Sequence, residues 1–446
     1  MKIGFGKVDI TPRVGVELAG FGPFLNRHSI AVRDRLWSRA MAVERDGQVA
    51  VLVSNDIISL YRHYVERIRE LVHEATGLAP EQVMVHCTHT HSGPVIGTLN
   101  GWGDPDYPYL ELLPGRIAQA VIEAVGNLRE ATLSHAEVPC EGIGLNREWD
   151  RDAPPLEEVL RDDWRPAMPE LTDTTCQVVV ARDAEGTLLG FASYFGCHPV
   201  VCCQTTRYIH GDFVGVATNL IEREHPGCVG LFLQGAQGDV NSCVVHKPEQ
   251  EALLALDVIA GRYARSVRQG IADAKPLEVD CVKWASNQVR FSRRPVDPAW
   301  VRERLAEQEA ILHAPGASDE DGAVRMATVY ALGLRGFLEA MEQGRTLDEP
   351  TEIHGLRFGP LAILGGPFEI FQAIKNDVRS RAPFPLSMVL GLTDDQLGYA
   401  TDRKTAEAKA DGYTMYVVPM ILGQLPFANI HDELVSAFLA VAGELE

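Results

Sequence analysis

Apolar residues recur along this chain in two rhythms. Short uninterrupted runs predict strands buried on both faces. The clearest are GQVAVLVSND (Gly47–Asp56), QVMVHCTH (Gln82–His89) and CVGLFLQG (Cys228–Gly235). Longer stretches whose apolar positions return every third or fourth residue predict amphipathic helices. One starts at Tyr61 (YRHYVERIRELVHEATG), one runs from Tyr107 to Leu128 with an expected break at Pro114, and a long one spans Glu249–Ile271. TCQVVVARD and TLLGFASYFG read as paired strands across the turn DAEG. HGLRFGPLAILGG supplies two short strands, PFEIFQAIKNDVRSRA the helix after them, and HDELVSAFLAVAGELE the last helix. IGFGKVDI, near the start, reads as a first strand rather than a secretory leader.

Arg147–Leu171 is acidic and proline-rich, and His313–Ala323 is polar and rich in breakers; both read as loops. Strand and helix signals resume directly after each, so neither reads as a linker. The expected architecture is α/β: a single large mixed-sheet domain over residues 1–446, with alternating strands and helices and long loops over one end.

Composition narrows the function. The chain has 446 residues, is 46% hydrophobic and carries a net charge of −20. That surface repels nucleic acid and anionic membranes. No apolar run is long enough to span a bilayer. The expected partner is a small-molecule substrate, with a homo-oligomer left open. Nine cysteines without a CxxC pair suit reduced thiols in a cytoplasm.

Chemistry concentrates at strand ends. HCTHTHSGP (His86–Pro94) holds three of the fourteen histidines. On strand alternation His89 and His91 share one face and His86 the other. His198 precedes Pro199, which holds it extended. The adjacent Cys202 and Cys203 read as small buried hydrophobes rather than soft ligands. His210 and Asp212 precede a helix, which Asp212 either caps or leaves to bond a histidine behind a metal site. LFLQGAQGDVNS carries Asp239 and Asn241 on a glycine-rich turn; without Gly-Lys-Ser/Thr it is no phosphate loop. Glu369 is expected in the first turn of a helix, where the macrodipole favours a carboxylate. Two imidazoles and a carboxylate suit a catalytic zinc with one position open for water. Manganese and iron take the same donors.

THTHSGP (Thr88–Pro94), the CHP around His198, GDVN ending at Asn241, PFEI around Glu369 and GY at Tyr399 occur in that order, with GFGKVDITP and LNREW before and between. This set resembles the catalytic domain of the neutral/alkaline non-lysosomal ceramidases, in a short bacterial-type form without the C-terminal immunoglobulin-like domain. The resemblance implies one Zn2+ held by His89, His198, Glu369 and Tyr399. It also implies a substrate-facing His91, an orienting Arg147, and cleavage of an amide. The family has serine directly after GDV; here Asn241 stands there and Ser242 follows. The expected reaction is zinc-dependent hydrolysis of a small, soluble N-acylated substrate. His91 and Asn241 would stabilise the oxyanion, and Asp239 would hold a ligand or relay protons. The alternative is a metal-dependent lyase or isomerase acting on a sugar-like metabolite.

Overall fold

Three sheets meet around one apolar core. In the computed structural model, which describes residues 1–97, 99, 101–150, 155–345, 347–410 and 412–446, the first sheet runs in the order Val83–Cys87, Gln48–Asn55, Trp37–Arg45, Lys2–Asp9, Arg129–Glu130. The second runs Val229–Gln234, Leu188–Phe195, Thr175–Arg182, Thr132–Pro139, Lys275–Leu277. The third runs Val282–Val289, Thr351–Phe358, Leu361–Gly365, Leu386–Leu390.

Each sheet sends one face into a shared core. Phe5, Met41 and Leu52 come from the first, Val179, Tyr194 and Leu231 from the second, and Leu356, Ile363 and Met388 from the third. The opposite faces are covered by helices. Arg62–Thr76 and Tyr107–Gly126 pack on the first sheet, Asp212–Glu224 and Glu249–Asp273 on the second, and Gln372–Arg381 and Ile430–Glu444 on the third. Burial on both faces explains why the central strands read as unbroken apolar runs: all eight residues of Leu188–Phe195 are buried. Each large aliphatic or aromatic side chain so buried contributes roughly 1.5–3 kcal/mol.

Most expected elements are present, with corrections. Tyr107–Gly126 is continuous through Pro114, which is itself buried; the core contacts of Leu110, Leu113 and Ile117 outweigh the one backbone bond the proline forfeits. Two helices, Pro298–Leu312 and Gly322–Glu342, flank the expected loop at 313–323; they form with Val418–Ile421 a separate apolar cluster beside the main body. In the 147–171 segment, residues 151–154 lie outside the described residues, and the rest holds only Leu156–Val159 and a turn at Pro169–Leu171. All nine cysteines are free thiols. Among the described residues no helix is long and apolar enough to cross a membrane.

The feature that positions the chemistry is one parallel strand pair in each sheet. Gln48–Asn55 pairs parallel with Val83–Cys87, Leu188–Phe195 with Val229–Gln234, and Leu361–Gly365 with Leu386–Leu390. Chain leaving the carboxyl ends of these six strands carries Ile58, His89, His198, Asn241, Glu369 and Tyr399 in turn. Sheets place ligands at such carboxyl ends. Gln234 knots the three ends together. Its amide donates to His86 Nε2 (2.8 Å), its backbone carbonyl accepts from Gly391, and its side chain reaches Thr88 O and Cys197 O. His86 is therefore a strand-end tie, and burial lowers its pKa to about 3.

Candidate metal centre

His89 and His91 do reach one place, but not by strand alternation. The strand ends at Cys87, and His89 takes a left-handed backbone (φ 70°). Such a conformation costs on the order of 1–3 kcal/mol and clusters at functional sites. His89 Nδ1 lies 2.7 Å from the Ile58 carbonyl. His198 Nδ1 lies 2.6 Å from the Gln237 carbonyl. A carbonyl only accepts, so both Nδ1 atoms carry the proton and both Nε2 atoms present a lone pair.

Those lone pairs face one carboxylate. Glu369 Oε2 is 2.8 Å from His198 Nε2 and 3.4 Å from His89 Nε2. Glu369 does not lie in the helix where the sequence places it. It sits in a two-residue strand, Glu369–Ile370, paired parallel with Tyr399–Ala400, so Glu369 and Tyr399 are register partners. The adjacent helix starts only at Gln372, and the strand geometry turns the carboxylate toward the histidines. Burial pushes the Glu369 carboxyl up, but His89 and His198 outweigh it and hold it well below the usual range. Burial, with Arg147 nearby, lowers His198 to about 4. With both Nδ1 atoms committed to carbonyls, His89 Nε2, His198 Nε2 and the Glu369 carboxylate converge as three electron-pair donors. That donor set, buried and with both outer nitrogens oriented by carbonyls, fits a divalent cation.

The other candidates divide. His91 Nε2 is 3.3 Å from His89 Nε2. Burial first, then the neighbouring His89 and His198, holds its pKa well below the usual range. The Arg147 guanidinium lies 5.0 Å from the centre of the Tyr399 ring. Burial raises the Tyr399 phenol well above its ordinary value, and Arg147 works against that rise. Asn241 pairs with His198 in an isolated parallel bridge, and both line the same cavity. Asp239 does not line it. Its carboxylate stands behind the site, accepting from the Gln372 amide (2.9 Å) and Asn146 Nδ2 (3.1 Å), while its carbonyl accepts from the Arg147 amide. Burial raises Asp239 to about 7. Ser242 is fully buried on the face opposite Asn241 and is not part of the cavity wall.

The cavity measures about 420 Å³. The histidine cluster lines it together with apolar Val95, Leu99, Trp102, Met326, Ile421 and Leu422. Sequence reasoning missed that apolar lining, the loop Gly20–Gly22, and Tyr413, whose ring stands 6.3 Å from Tyr399.

Two other groups of ligand-type side chains lie together among the described residues, and both are already engaged. In Glu352, His354 and Asp394 the cation position is taken by Arg69, which contacts Glu352 at 2.6 Å and Asp394 at 3.1 Å. In Cys202, His210 and Asp212, the Asp212 carboxylate accepts from the amides of Val201, Cys202 and Phe213, and its own amide donates to His210 Nδ1. Asp212 therefore organises a loop and supports no site histidine. Cys202 and Cys203 are buried, as expected.

A cluster of imidazole, carboxylate and phenol at the carboxyl ends of three sheets defines an α/β protein with a candidate metal centre. The chain belongs to the neutral/alkaline non-lysosomal ceramidase family: the sequence model of that family's N-terminal region matches residues 1–249. Curated relatives include the neutral ceramidase of Pseudomonas aeruginosa, 25% identical over 261 residues, covering 55% of this chain and 38% of that protein. Neutral ceramidase B of Dictyostelium discoideum is 26% identical over 260 residues, covering 54% of this chain and 35% of that protein. The matched segment thus spans little more than a third of these relatives. Among solved structures, the neutral ceramidase from Pseudomonas aeruginosa aligns with a TM-score of 0.73 at 19% identity, covering 99% of this chain and 74% of that one. A ceramidase complexed with C2 aligns at 0.76, also at 19% identity, covering 100% and 75%. At that identity the likeness establishes the fold, and it extends to the third sheet, beyond the matched residues 1–249.

Proposed function

We propose that this chain, acting as one unit over residues 1–446, is a zinc-dependent hydrolase that cleaves the C–N bond of a small N-acylated substrate. The observation that carries the reading is the approach of His198 Nε2 (2.8 Å) and His89 Nε2 (3.4 Å) to the same oxygen, Glu369 Oε2. These three, with Tyr399 beside Glu369, would hold the ion. Bound there, zinc supplies a Lewis acid and lowers the pKa of a water to about 7.

The chain's own groups do the rest. His91 can donate Nε2–H to the bare His89 Nε2; once that lone pair is engaged, the His91 proton is free to meet an oxyanion. Asn241 lies beside His198 and offers amide N–H groups to the same oxygen; it cannot take a proton. Where the family carries serine, this chain therefore has a group limited to hydrogen bonding. Arg147 adds a fixed positive charge over Tyr399 to orient the substrate. Asp239 acts from behind, tying Gln372 and Asn146 so that Glu369 and Arg147 keep their places. The apolar part of the cavity lining favours an acyl group, and the amide linkage of ceramide, on which the named relatives act, supports the bond type. The buried, unpaired thiols support a reducing compartment such as the cytoplasm.

The test is a panel of N-acyl compounds hydrolysed in oxygen-18 water by the zinc-loaded protein. Label in the product carboxylate is expected. A product of unchanged mass would replace hydrolysis with isomerisation, and an unsaturated product with elimination.

A further inference from the structure

Three histidines face the candidate metal centre, and two of them are aimed by backbone carbonyls. His91 is not: its Nδ1 is buried and has no hydrogen-bond partner. Its ring is held by shape instead. Gly20 (φ 85°) stands so close that a Cβ there would lie 2.2 Å from His91 Nδ1, and the Phe21 ring meets the imidazole edge-on at 5.1 Å. The wall that does this is itself unusual. Phe21, Phe24 and Asn26 all take left-handed backbones, at φ 67°, 55° and 50°. Each such non-glycine residue costs on the order of 1–3 kcal/mol and persists only where its surroundings over-determine it.

Arg27 is what over-determines this loop. It is 2% exposed and makes no ion pair within 4.0 Å among the described residues. One terminal nitrogen donates to Ala19 O (2.8 Å) and His91 O (3.1 Å), and the other to Thr206 O (3.1 Å). The guanidinium lies 4.9 Å from the centre of the Phe21 ring. Those carbonyls belong to the strained loop, to the His89–His91 segment and to the chain that follows His198. Burying a guanidinium without a carboxylate is costly, and burial lowers its pKa to about 10. A planar fork can bridge three segments at once; a lysine ammonium on a flexible stem cannot hold the same geometry.

We propose that Arg27 is a positioning residue for His91: it clamps Ala19, His91 and Thr206 so that Gly20 and Phe21 fix the imidazole with Nε2 turned toward the centre. The catalytic consequence rests on the reading that His91 faces substrate; the structural one does not. The test uses long-range proton–nitrogen spectra of the histidine rings in the metal-free full chain, with His91 assigned by its loss in His91→Asn. Wild type gives one sharp His91 set. Arg27→Lys broadens or doubles that set and leaves His89 and His198 in place. The zinc-loaded variant keeps its zinc and loses about 10–100-fold in kcat on an N-hexanoyl-p-nitroanilide, with KM within about threefold, as expected for a misplacement near 1 Å. If Arg27→Lys does not fold, Phe21→Leu gives the same His91 signature. Unchanged His91 signals in the folded Arg27→Lys or Phe21→Leu protein overturn the proposal. A full rate in His91→Asn instead overturns the substrate-facing role of His91 and leaves Arg27 to the ring spectra.

Discussion

Replacing Glu369 by glutamine perturbs the candidate centre without changing its shape. In the wild type, a carboxylate oxygen sits 2.8 Å from one imidazole lone pair and 3.4 Å from another. Buried acceptors facing one another without a donor cost about 1–3 kcal/mol. The glutamine amide brings a donor, so the metal-free variant is expected to be more stable than wild type by about that amount. With an unfolding entropy of about 2.1 cal/mol/K per residue, 446 residues give about 0.94 kcal/mol/K, so the Tm rises by about 1–3 °C. Zinc reverses the order. At a free concentration 1,000 times its Kd, zinc stabilises wild type by about 4.1 kcal/mol, or about 4 °C. Even outer-shell changes cost up to about 100-fold in affinity, and this one removes a ligand charge. At the same zinc concentration a 100-fold loss leaves about 1.4 kcal/mol, or about 1.5 °C. Scanning calorimetry at pH 7.5, with chelator and then with zinc, reads both effects. A metal-free variant less stable than wild type, together with an undiminished zinc shift, would refute the reasoning.

Other perturbations separate the remaining roles. His89→Ala and His198→Ala each remove a carbonyl-oriented ligand and are expected to lose most bound zinc by elemental analysis; full metal content in both would dismiss the ligand assignment. Asn241→Ala should keep its zinc and lose roughly 10²–10³ in kcat, the usual cost of one oxyanion donor; an unchanged rate removes Asn241 from the mechanism. Asp239, raised by burial to about 7 in the fold against about 3.9 unfolded, makes the native state bind more protons between those values. Stability contributed by that group is therefore greatest below about pH 4 and falls as pH climbs to about 7. Urea denaturation of Asp239→Asn at pH 5 and pH 7 should show a smaller difference than wild type; an equal difference would place the titration elsewhere.

Sequence patterns exposed the strands best, because burial on both faces writes an unbroken apolar run at Leu188–Phe195 and Val229–Gln234. The site histidines were legible as a pair, but the geometry was not. His89 owes its direction to a left-handed backbone after the strand has ended, and strand alternation does not describe it. Glu369 was expected in a helix because PFEIFQAIKNDV has helical spacing; a two-residue strand paired with Tyr399 carries no periodic signal. Pro298–Leu312 went unread since only Val301 is fully buried in it, so no apolar stripe marks it. Asp239 looked catalytic beside Asn241, yet its carboxylate is committed to Gln372 and Asn146, contacts 133 and 93 residues away in sequence. Arg27 and Gly20 matter through one nearby carbonyl, two carbonyls 64 and 179 residues from Arg27, and one imidazole, which no local pattern encodes.

The proposed chemistry requires one cation held among side chains distant in sequence. Anomalous diffraction above and below the zinc edge, on crystals grown with stoichiometric zinc, measures it directly. A single peak bonded to His89 Nε2, His198 Nε2 and Glu369 is the expected result. A peak bonded to another group of side chains, or none above noise at full zinc loading, would contradict it.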